Sequence, residues 1–203
     1  FNEELKERGY RLSSANAINI GRLIPQIVYY VYGYLQLLNS DEISHGEKIN
    51  ICVPTGNFGN ILAAYIAKEM GLPVNKLICA SNINNVLYEF FSTGIYDRRR
   101  DLKKTISPSM DILVSSNLER LLYFISGKDE KTISNLMTAL GNSGVYEIND
   151  EMKDGLKDFY GGYATDEEAK AAINKVFKEY AYLIDPHTAV AYHVYEEYRN
   201  KTK

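Results

Sequence analysis

The sequence predicts an α/β fold with three layers, α/β/α, built on a mainly parallel sheet and followed by a helix-rich C-terminal half. Two short apolar runs, 49–53 and 76–81, are bounded by turn formers, and each is predicted as a buried strand. The segment between them, 61–70, is a good helix former that ends at Gly71. Strand, helix and strand at this spacing form a βαβ unit, which requires parallel pairing and a right-handed crossover.

The residues before the first strand are predicted to be mainly helical, and a polar loop, 39–48, joins them to it. Apolar side chains recur at helical spacing from about Ala17 to Leu38, which predicts a long amphipathic helix. Pro25 should kink this helix or mark a restart, because proline removes one backbone hydrogen bond. Ahead of it the sequence indicates a short charged helix, a possible short strand and a polar, cap-like stretch, which are residues 1–8, 10–12 and 13–16.

Turns and one short helix are predicted directly after the second strand. Residues 82–85 are rich in asparagine and form a turn, and residues 86–92 form a helix that Gly94 stops. Residues 97–101, Asp-Arg-Arg-Arg-Asp, are interpreted as a charged connector, and residues 105–111 as a turn-rich segment. This part of the chain therefore completes the βα core without adding a strand.

The C-terminal half is predicted to be helical because it contains clear helix-start signals. Thr165 and Glu168 have the spacing of a capping box, and Asp185-Pro186 places an N-cap residue before a proline at the first helical position. The predicted helices are 117–126, 129–140 (ended by Gly141), 150–159, 165–182 and 185–199. We therefore expect a βα core over residues 1–116 and a mainly helical part over residues 117–203.

Composition is typical of a globular protein of ordinary charge. The chain has 203 residues, 45% of them hydrophobic, and a net charge of −3, which provides no basic footprint for nucleic acid or anionic lipid. No apolar run approaches the roughly 20 residues that a membrane span needs, so neither nucleic acid nor a membrane is an expected partner. Cys52 and Cys79 lie in the two strand-like runs and are interpreted as small buried hydrophobic residues, which fits a reducing cytoplasm.

The turn after the first strand, Pro-Thr-Gly-Asn-Phe-Gly-Asn over residues 54–60, is the main candidate site. Backbone N–H groups between a strand and a helix N-terminus lie beside the positive end of a helix dipole, which is typical of phosphate sites. Gly56 and Gly59 allow close approach of an anion, whereas Asn57 and Asn60 tolerate left-handed conformations and can cap the helix. An ordinary βα turn is the alternative. The dinucleotide and Walker patterns are absent, so another kind of anion is expected.

The other polar candidates give weaker indications. His45, His187 and His193 have no metal-ligand spacing to cysteines or carboxylates, so no metal site is predicted. His187, beside a helix start, either borders a pocket or has a surface or packing role, and the second interpretation is preferred. Arg98–Arg100 either form a solvated loop, which is preferred, or a patch that reaches a substrate phosphate.

Five motifs occur in the order in which they are found in threonine synthases, and the chain resembles that family over nearly its whole length. Any one motif alone would be weak, but five in order make a specific resemblance. They are Ser-Ser-Ala-Asn-Ala-Ile-Asn at 13–19 with Arg-Leu-Ile-Pro-Gln at 22–26, Val53 to Asn60 with 62–64 and 70–73, 81–86, Ser-Pro-Ser-Met-Asp at 107–111, and Asp-Pro-His-Thr-Ala-Val-Ala-Tyr at 185–192.

The resemblance implies a pyridoxal 5′-phosphate (PLP) enzyme of fold type II, related to the tryptophan synthase β subunit. It implies that the backbone N–H groups of four residues hold the cofactor phosphate, with Asn60 as helix cap and possible side-chain donor; the four are Gly56, Asn57, Phe58 and Gly59. Asn16, Asn19 and Arg22 are candidates to approach substrate, although capping and packing at the edge of the core is the preferred interpretation for all three.

Enzymes of this family convert O-phospho-L-homoserine and water to L-threonine and phosphate, and a lysine upstream of the turn holds PLP. Only Lys6 and Lys48 precede the turn here, and neither has the aromatic-Lys-Asp context of that lysine. No catalytic residue is therefore assigned. We expect residues 1–203 to be an internal fragment of the large PLP-binding domain, inactive alone. The alternatives are a free-standing α/β anion-binding or interaction domain, and a PLP lyase of the same fold that acts on another amino acid.

Overall fold

A computed structural model describes residues 2–11 and 16–202. Within these residues the helices are α1 (Asn2–Glu7), α2 (Ile20–Asn39), α3 (Gly59–Glu69), α4 (Val86–Thr93), α5 (Leu118–Ile125), α6 (Glu130–Ser143), α7 (Asp150–Asp154), α8 (Asp166–Tyr180) and α9 (Pro186–Lys201), and the strands are β1 (Ile49–Pro54), β2 (Val74–Ser81), β3 (Ile95–Asp97), β4 (Val145–Glu147) and β5 (Phe159–Tyr163). A 3₁₀ turn covers Pro108–Met110. The predicted strand at 10–12 does not form at residues 10 and 11. Its third residue, and the polar stretch up to residue 15, lie outside the described residues.

The central sheet has three parallel strands in the order β1-β2-β5. Val53 of β1 pairs with Cys79 of β2, which on its other side pairs with Gly161 of β5. The β1-α3-β2 unit confirms the predicted βαβ unit, and the two cysteines lie on neighbouring strands. Burial raises the pKa of both the Cys52 and Cys79 thiols to about 12, so neither is ionised at neutral pH.

The third strand of the sheet is a correction to the prediction, which placed its first residue in a helix over 150–159 and assigned no strand to the residues after it. Gly161 and Gly162 instead lie inside β5, and the close approach of helices on both sides leaves no space for a side chain at either position. A Cβ at Gly161 would lie 3.1 Å from Cα of Tyr88 in α4, and a Cβ at Gly162 would lie 2.5 Å from Cγ1 of Val194 in α9. Glycine in a strand interior commonly marks such an approach.

A second, two-stranded sheet was not predicted. β3 pairs antiparallel with β4, and Asp97, assigned from sequence to a charged connector, is the last residue of β3. Tyr96 and Tyr146 are directly paired and buried, and their rings stack with centroids 5.2 Å apart. Strands of three residues are too short to show a period in the sequence, so burial of the two tyrosines decides their formation.

Helices cover both faces of the central sheet, which confirms the three-layer architecture. Along β2, Leu77 and Cys79 face a core formed with α3, α4 and α5, whereas Ile78 and Ala80 face a core formed with α8 and α9. This alternation is that of a strand buried on both faces. The C-terminal half therefore contributes to both layers, with α5 on one face of the sheet and α8 and α9 on the other, and it also adds β5 to the sheet.

Three helix boundaries differ from the sequence prediction by three residues or more: α7 ends at Asp154 rather than at residue 159, and the other two belong to α2 and α6. α2 begins at Ile20, where the Asn19 side chain accepts a hydrogen bond from the N–H of Gly21, and it continues through Pro25 without interruption. Pro25 is the sixth residue of α2, where it removes one intrahelical hydrogen bond without ending the helix. α6 continues past Gly141 to Ser143 and ends at Gly144, which has a φ of 76°.

Candidate functional site

One left-handed residue shapes the loop between β1 and α3. Phe58, immediately before α3, has φ 66° and ψ 1°, and its ring is fully buried. Asn57 and Asn60 were named from the sequence as residues that tolerate a left-handed conformation, but neither has a positive φ, and neither do Gly56 and Gly59. Burial of an aromatic ring offsets the strain of a left-handed non-glycine residue, and residue type alone could not reveal that.

Close approach, rather than backbone freedom, explains the two glycines of this turn. A Cβ at Gly56 would lie 2.5 Å from the carbonyl oxygen of Ser109, and a Cβ at Gly59 would lie 2.4 Å from the Cβ of Ala17. Arg120 donates hydrogen bonds to the carbonyl oxygens of Ala17 and Ile18, at 2.7 and 2.6 Å. The turn is therefore enclosed by two chain segments that leave no space for a side chain.

The backbone N–H groups of residues 56–60 have no hydrogen-bond acceptor among the described residues. The carbonyl groups of the same turn are occupied. The Gly56 oxygen accepts from Ser115 Oγ at 2.8 Å, and the Asn57 oxygen accepts from both N–H and Nδ2 of Asn117, at 3.1 and 2.9 Å. The turn is thus fixed through its acceptors, while its five successive N–H groups have no acceptor among the described residues; of the five residues, Phe58 is fully buried.

Asn60 stabilises the start of α3 with both polar atoms of its side chain. Its Nδ2 donates to the Pro54 carbonyl oxygen at 2.8 Å, and its Oδ1 accepts from the N–H of Ile61 at 2.9 Å. The hydroxyl of Tyr30 in α2 donates to the Asn60 carbonyl oxygen. The amide therefore caps an orphan donor of the first turn and ties the helix to β1.

A cavity of about 510 Å³ opens onto this turn. Asn16 and Arg22, two of the three residues predicted as possible substrate contacts, line it, whereas Asn19 caps α2 instead. Its lining comes from the turn, the α2 entrance, the 3₁₀ turn and the start of α9: Asn16, Ala17, Arg22, Gln26, Pro54, Gly56, Asn57, Gly59, Asn60, Ser109, Met110 and His187. The position at the carboxyl ends of parallel strands is where open α/β sheets bind ligands.

A buried asparagine network positions the segment on the far side of the cavity. Asn82, at the end of β2 and 1% exposed, donates from Nδ2 to Thr105 Oγ1 at 2.9 Å and to Asp111 Oδ1 at 2.8 Å. Asn84 Nδ2 donates to the same carboxylate oxygen and to the Lys103 carbonyl. The sequence predicted only a turn here, although an asparagine pair that directly follows a buried strand was a signal for such a network.

His187 lines the cavity, which corrects the preferred interpretation of a surface or packing role. Its Nε2 lies 3.2 Å from the N–H of Ser109 and accepts from it, and its Nδ1 lies 3.1 Å from Oδ1 of Asp185. An acceptor at Nε2 leaves the ring proton on Nδ1, which donates to the carboxylate. The start of α9 is thereby connected to the 3₁₀ turn.

Titration at acid pH tests the hydrogen bonds that Asp185 accepts as the N-cap of α9. Hydrogen bonds, first from the Thr188 hydroxyl, lower the pKa of Asp185 from 3.8 to about 2. A depressed carboxyl pKa stabilises the fold fully above the unfolded value and loses this contribution as the pH falls through the folded value. We therefore expect the Thr188 amide resonance to titrate with a midpoint near pH 2. In Asp185→Asn, which retains a capping side chain, this titration should vanish. A midpoint near 3.8 would contradict the geometry.

Two of the three arginines in the connector form ion pairs with carboxylates. Arg99 pairs with Asp97 at 2.8 Å, and Arg100 Nη1 donates to Glu89 at 2.9 Å. Hydrogen bonds from Arg99 lower the pKa of Asp97 to about 2. Both guanidinium groups are therefore engaged within the protein, which favours the solvated-loop interpretation over an anion patch.

Two further findings concern residues 2–11 and 16–202 only. No three histidine, cysteine, aspartate or glutamate side chains gather there into a group that could hold a metal ion. Over the same residues, no helix has the length and apolar character that crossing a membrane requires.

No protein-family model matches the chain, but the chain is similar to proteins of known family. The chain is 48% identical over 198 residues to threonine synthase-like 1 of Homo sapiens, covering 97% of this chain and 27% of that protein. It is 40% identical over 193 residues to the threonine synthase of Pseudomonas aeruginosa, covering 95% of this chain and 40% of that enzyme.

A solved structure agrees with these sequence matches. The crystal structure of PLP-bound threonine synthase from Brucella melitensis superposes with a TM-score of 0.85 at 41% identity, covering 92% of this chain and 39% of that one. The chain thus spans between 27% and 40% of the length of these three proteins.

Proposed function

This chain belongs to the threonine synthase family over the segment that it covers, and we propose that this segment holds the phosphate group of PLP. The phosphate site consists of the backbone N–H groups of Gly56, Asn57, Phe58, Gly59 and Asn60. In this proposal residues 1–203 form part of the large cofactor-binding domain.

The five adjacent N–H groups without acceptors among the described residues carry the proposal. Unpaired backbone donors are costly unless water or a ligand satisfies them, and these lie at the N-terminus of α3, an 11-residue helix. A dianionic phosphate ester satisfies several donors at once and interacts favourably with the helix dipole. The Asn60 side chain, which bonds Pro54 and Ile61, serves the turn rather than the ligand.

The cavity beside these donors fits the remainder of such a cofactor. Its volume is about 510 Å³, and Arg22 adds a cation to the lining. In the proposed enzyme the substrate is O-phospho-L-homoserine, and PLP supplies an electron sink for the proton transfers. The contribution of this chain is to bind the phosphate and to shape the wall formed by Ser109 and His187.

Phosphate titration followed by amide NMR tests the proposed site. We expect the Gly56 to Asn60 resonances to shift first and together, because charge-assisted hydrogen bonds form at those groups. Chloride at equal ionic strength serves as the control for screening. Arg99→Ala, which alters the connector, should leave the phosphate affinity unchanged. Shifts centred on Arg98–Arg100 would contradict the proposal.

A further inference from the structure

A chain of contacts links the start of α9 to the phosphate turn through the 3₁₀ turn. Asp185 fixes the His187 ring through Nδ1, and Nε2 accepts the hydrogen bond from the N–H of Ser109. The carbonyl oxygen of Ser109 lies where a Cβ at Gly56 would approach within 2.5 Å. Ser109 and Gly56 are therefore closely packed, so a displacement of Ser109 towards the turn would press on Gly56.

Different residues hold the ends and the middle of the 107–111 segment. Asn82 Nδ2 donates to the Ser107 hydroxyl at 3.1 Å and to the Asp111 carboxylate at 2.8 Å. Among the described residues, the N–H of Ser109 has His187 as its acceptor. The Asn82 network therefore binds the two ends of the segment, and the His187 ring binds Ser109 in its middle.

We propose that His187 is a positioning residue that fixes Ser109 against Gly56 and thereby sets the donor geometry of the phosphate turn. The proposal assigns no proton transfer to the ring. It requires a hydrogen-bond acceptor at the Nε2 position, and in the native protein the hydrogen bond from Nδ1 to Asp185 orients the ring that carries it. It rests on the proposed function only as far as the ligand of the turn is concerned.

A pair of substitutions separates this role from simple packing. The glutamine carbonyl in His187→Gln reaches the Nε2 position, whereas the shorter amide in His187→Asn reaches only the Nδ1 position. In the anion-free protein, we expect His187→Asn to shift the Ser109 and Gly56 amide resonances and to accelerate hydrogen exchange at Ser109. His187→Gln should restore both, and circular dichroism should show equal folding. Identical spectra for the two variants would overturn the proposal.

Phosphate binding provides the second readout. Loss of one ordinary hydrogen bond corresponds to about a two- to thirteenfold weaker affinity, which we expect for His187→Asn but not for His187→Gln. Equal affinities of the two variants would also overturn the proposal. If phosphate moves none of the resonances of residues 56–60 in the unmodified chain, the proposed function fails, and the anion-free spectra still decide the role of His187.

Discussion

In the full-length enzyme, Gly59→Val is expected to weaken PLP binding by roughly thirty- to eight-hundred-fold, which corresponds to the loss of one or two charge-assisted hydrogen bonds. The new Cβ would lie 2.4 Å from the Cβ of Ala17, and Arg120 holds the Ala17 carbonyl, so Ala17 cannot retreat cheaply. The turn must move instead, and its N–H groups move with it. PLP absorbance titration measures the affinity, with circular dichroism as the folding control.

A compensating substitution makes this prediction specific. Ala17→Gly removes the atom that the new side chain meets, so Gly59→Ala combined with Ala17→Gly should bind PLP better than Gly59→Ala alone. The positive coupling follows from a direct contact between the two sites. Full PLP affinity in a folded Gly59→Val protein would mean that the turn does not hold the phosphate.

Gly162→Ala is expected to destabilise the fold by about 1–3 kcal/mol, the usual cost of overpacking a dense core. Its Cβ would lie 2.5 Å from Cγ1 of Val194, a fully buried residue of α9. The melting temperature should fall by about 2–4 °C for each kcal/mol. Thermal and urea unfolding of the variant and the unmodified chain measure the difference. Gly141→Ala, where a Cβ meets no atom within 4 Å, is the matched control.

The partner substitution completes a double-mutant cycle. Val194→Ala alone leaves a cavity and should cost about 1–3 kcal/mol. Together with Gly162→Ala, it provides space for the new methyl group, so the double variant should be more stable than the sum of the single effects by about 0.5 kcal/mol or more. Additive effects would show that α9 does not pack on β5 as described.

The sequence was sufficient to predict the features that depend on local pattern. The apolar runs predicted β1 and β2, and the Thr165–Glu168 capping box and the Asp185 cap occur as expected. β5 was missed because its two glycines imitate a turn. Glycine is needed in this strand because Val194 packs closely against one side of it, and such a tertiary contact leaves no signal in the local sequence.

The candidate site likewise has some features that the local sequence predicts and others that depend on tertiary contacts. The position of the turn between β1 and α3 followed from its sequence, but the left-handed residue is Phe58, whose conformation depends on burial of its ring. His187 reaches Ser109 across 78 positions in the chain, and no local pattern could indicate that contact. Features that join distant segments were therefore beyond prediction from a single sequence.

From the strand order we expect the sheet to form in two unequal steps. β1 and β2 are joined by α3 and close a short loop, whereas β5 reaches β2 only after residues 82–158 have been accommodated. Loop-closure entropy rises with length, and pairing between distant segments slows folding. While β5 is undocked, β2 is an edge strand with unpaired backbone groups. We therefore expect refolding at high protein concentration to favour aggregation, because this edge of β2 stays exposed until β5 pairs with it.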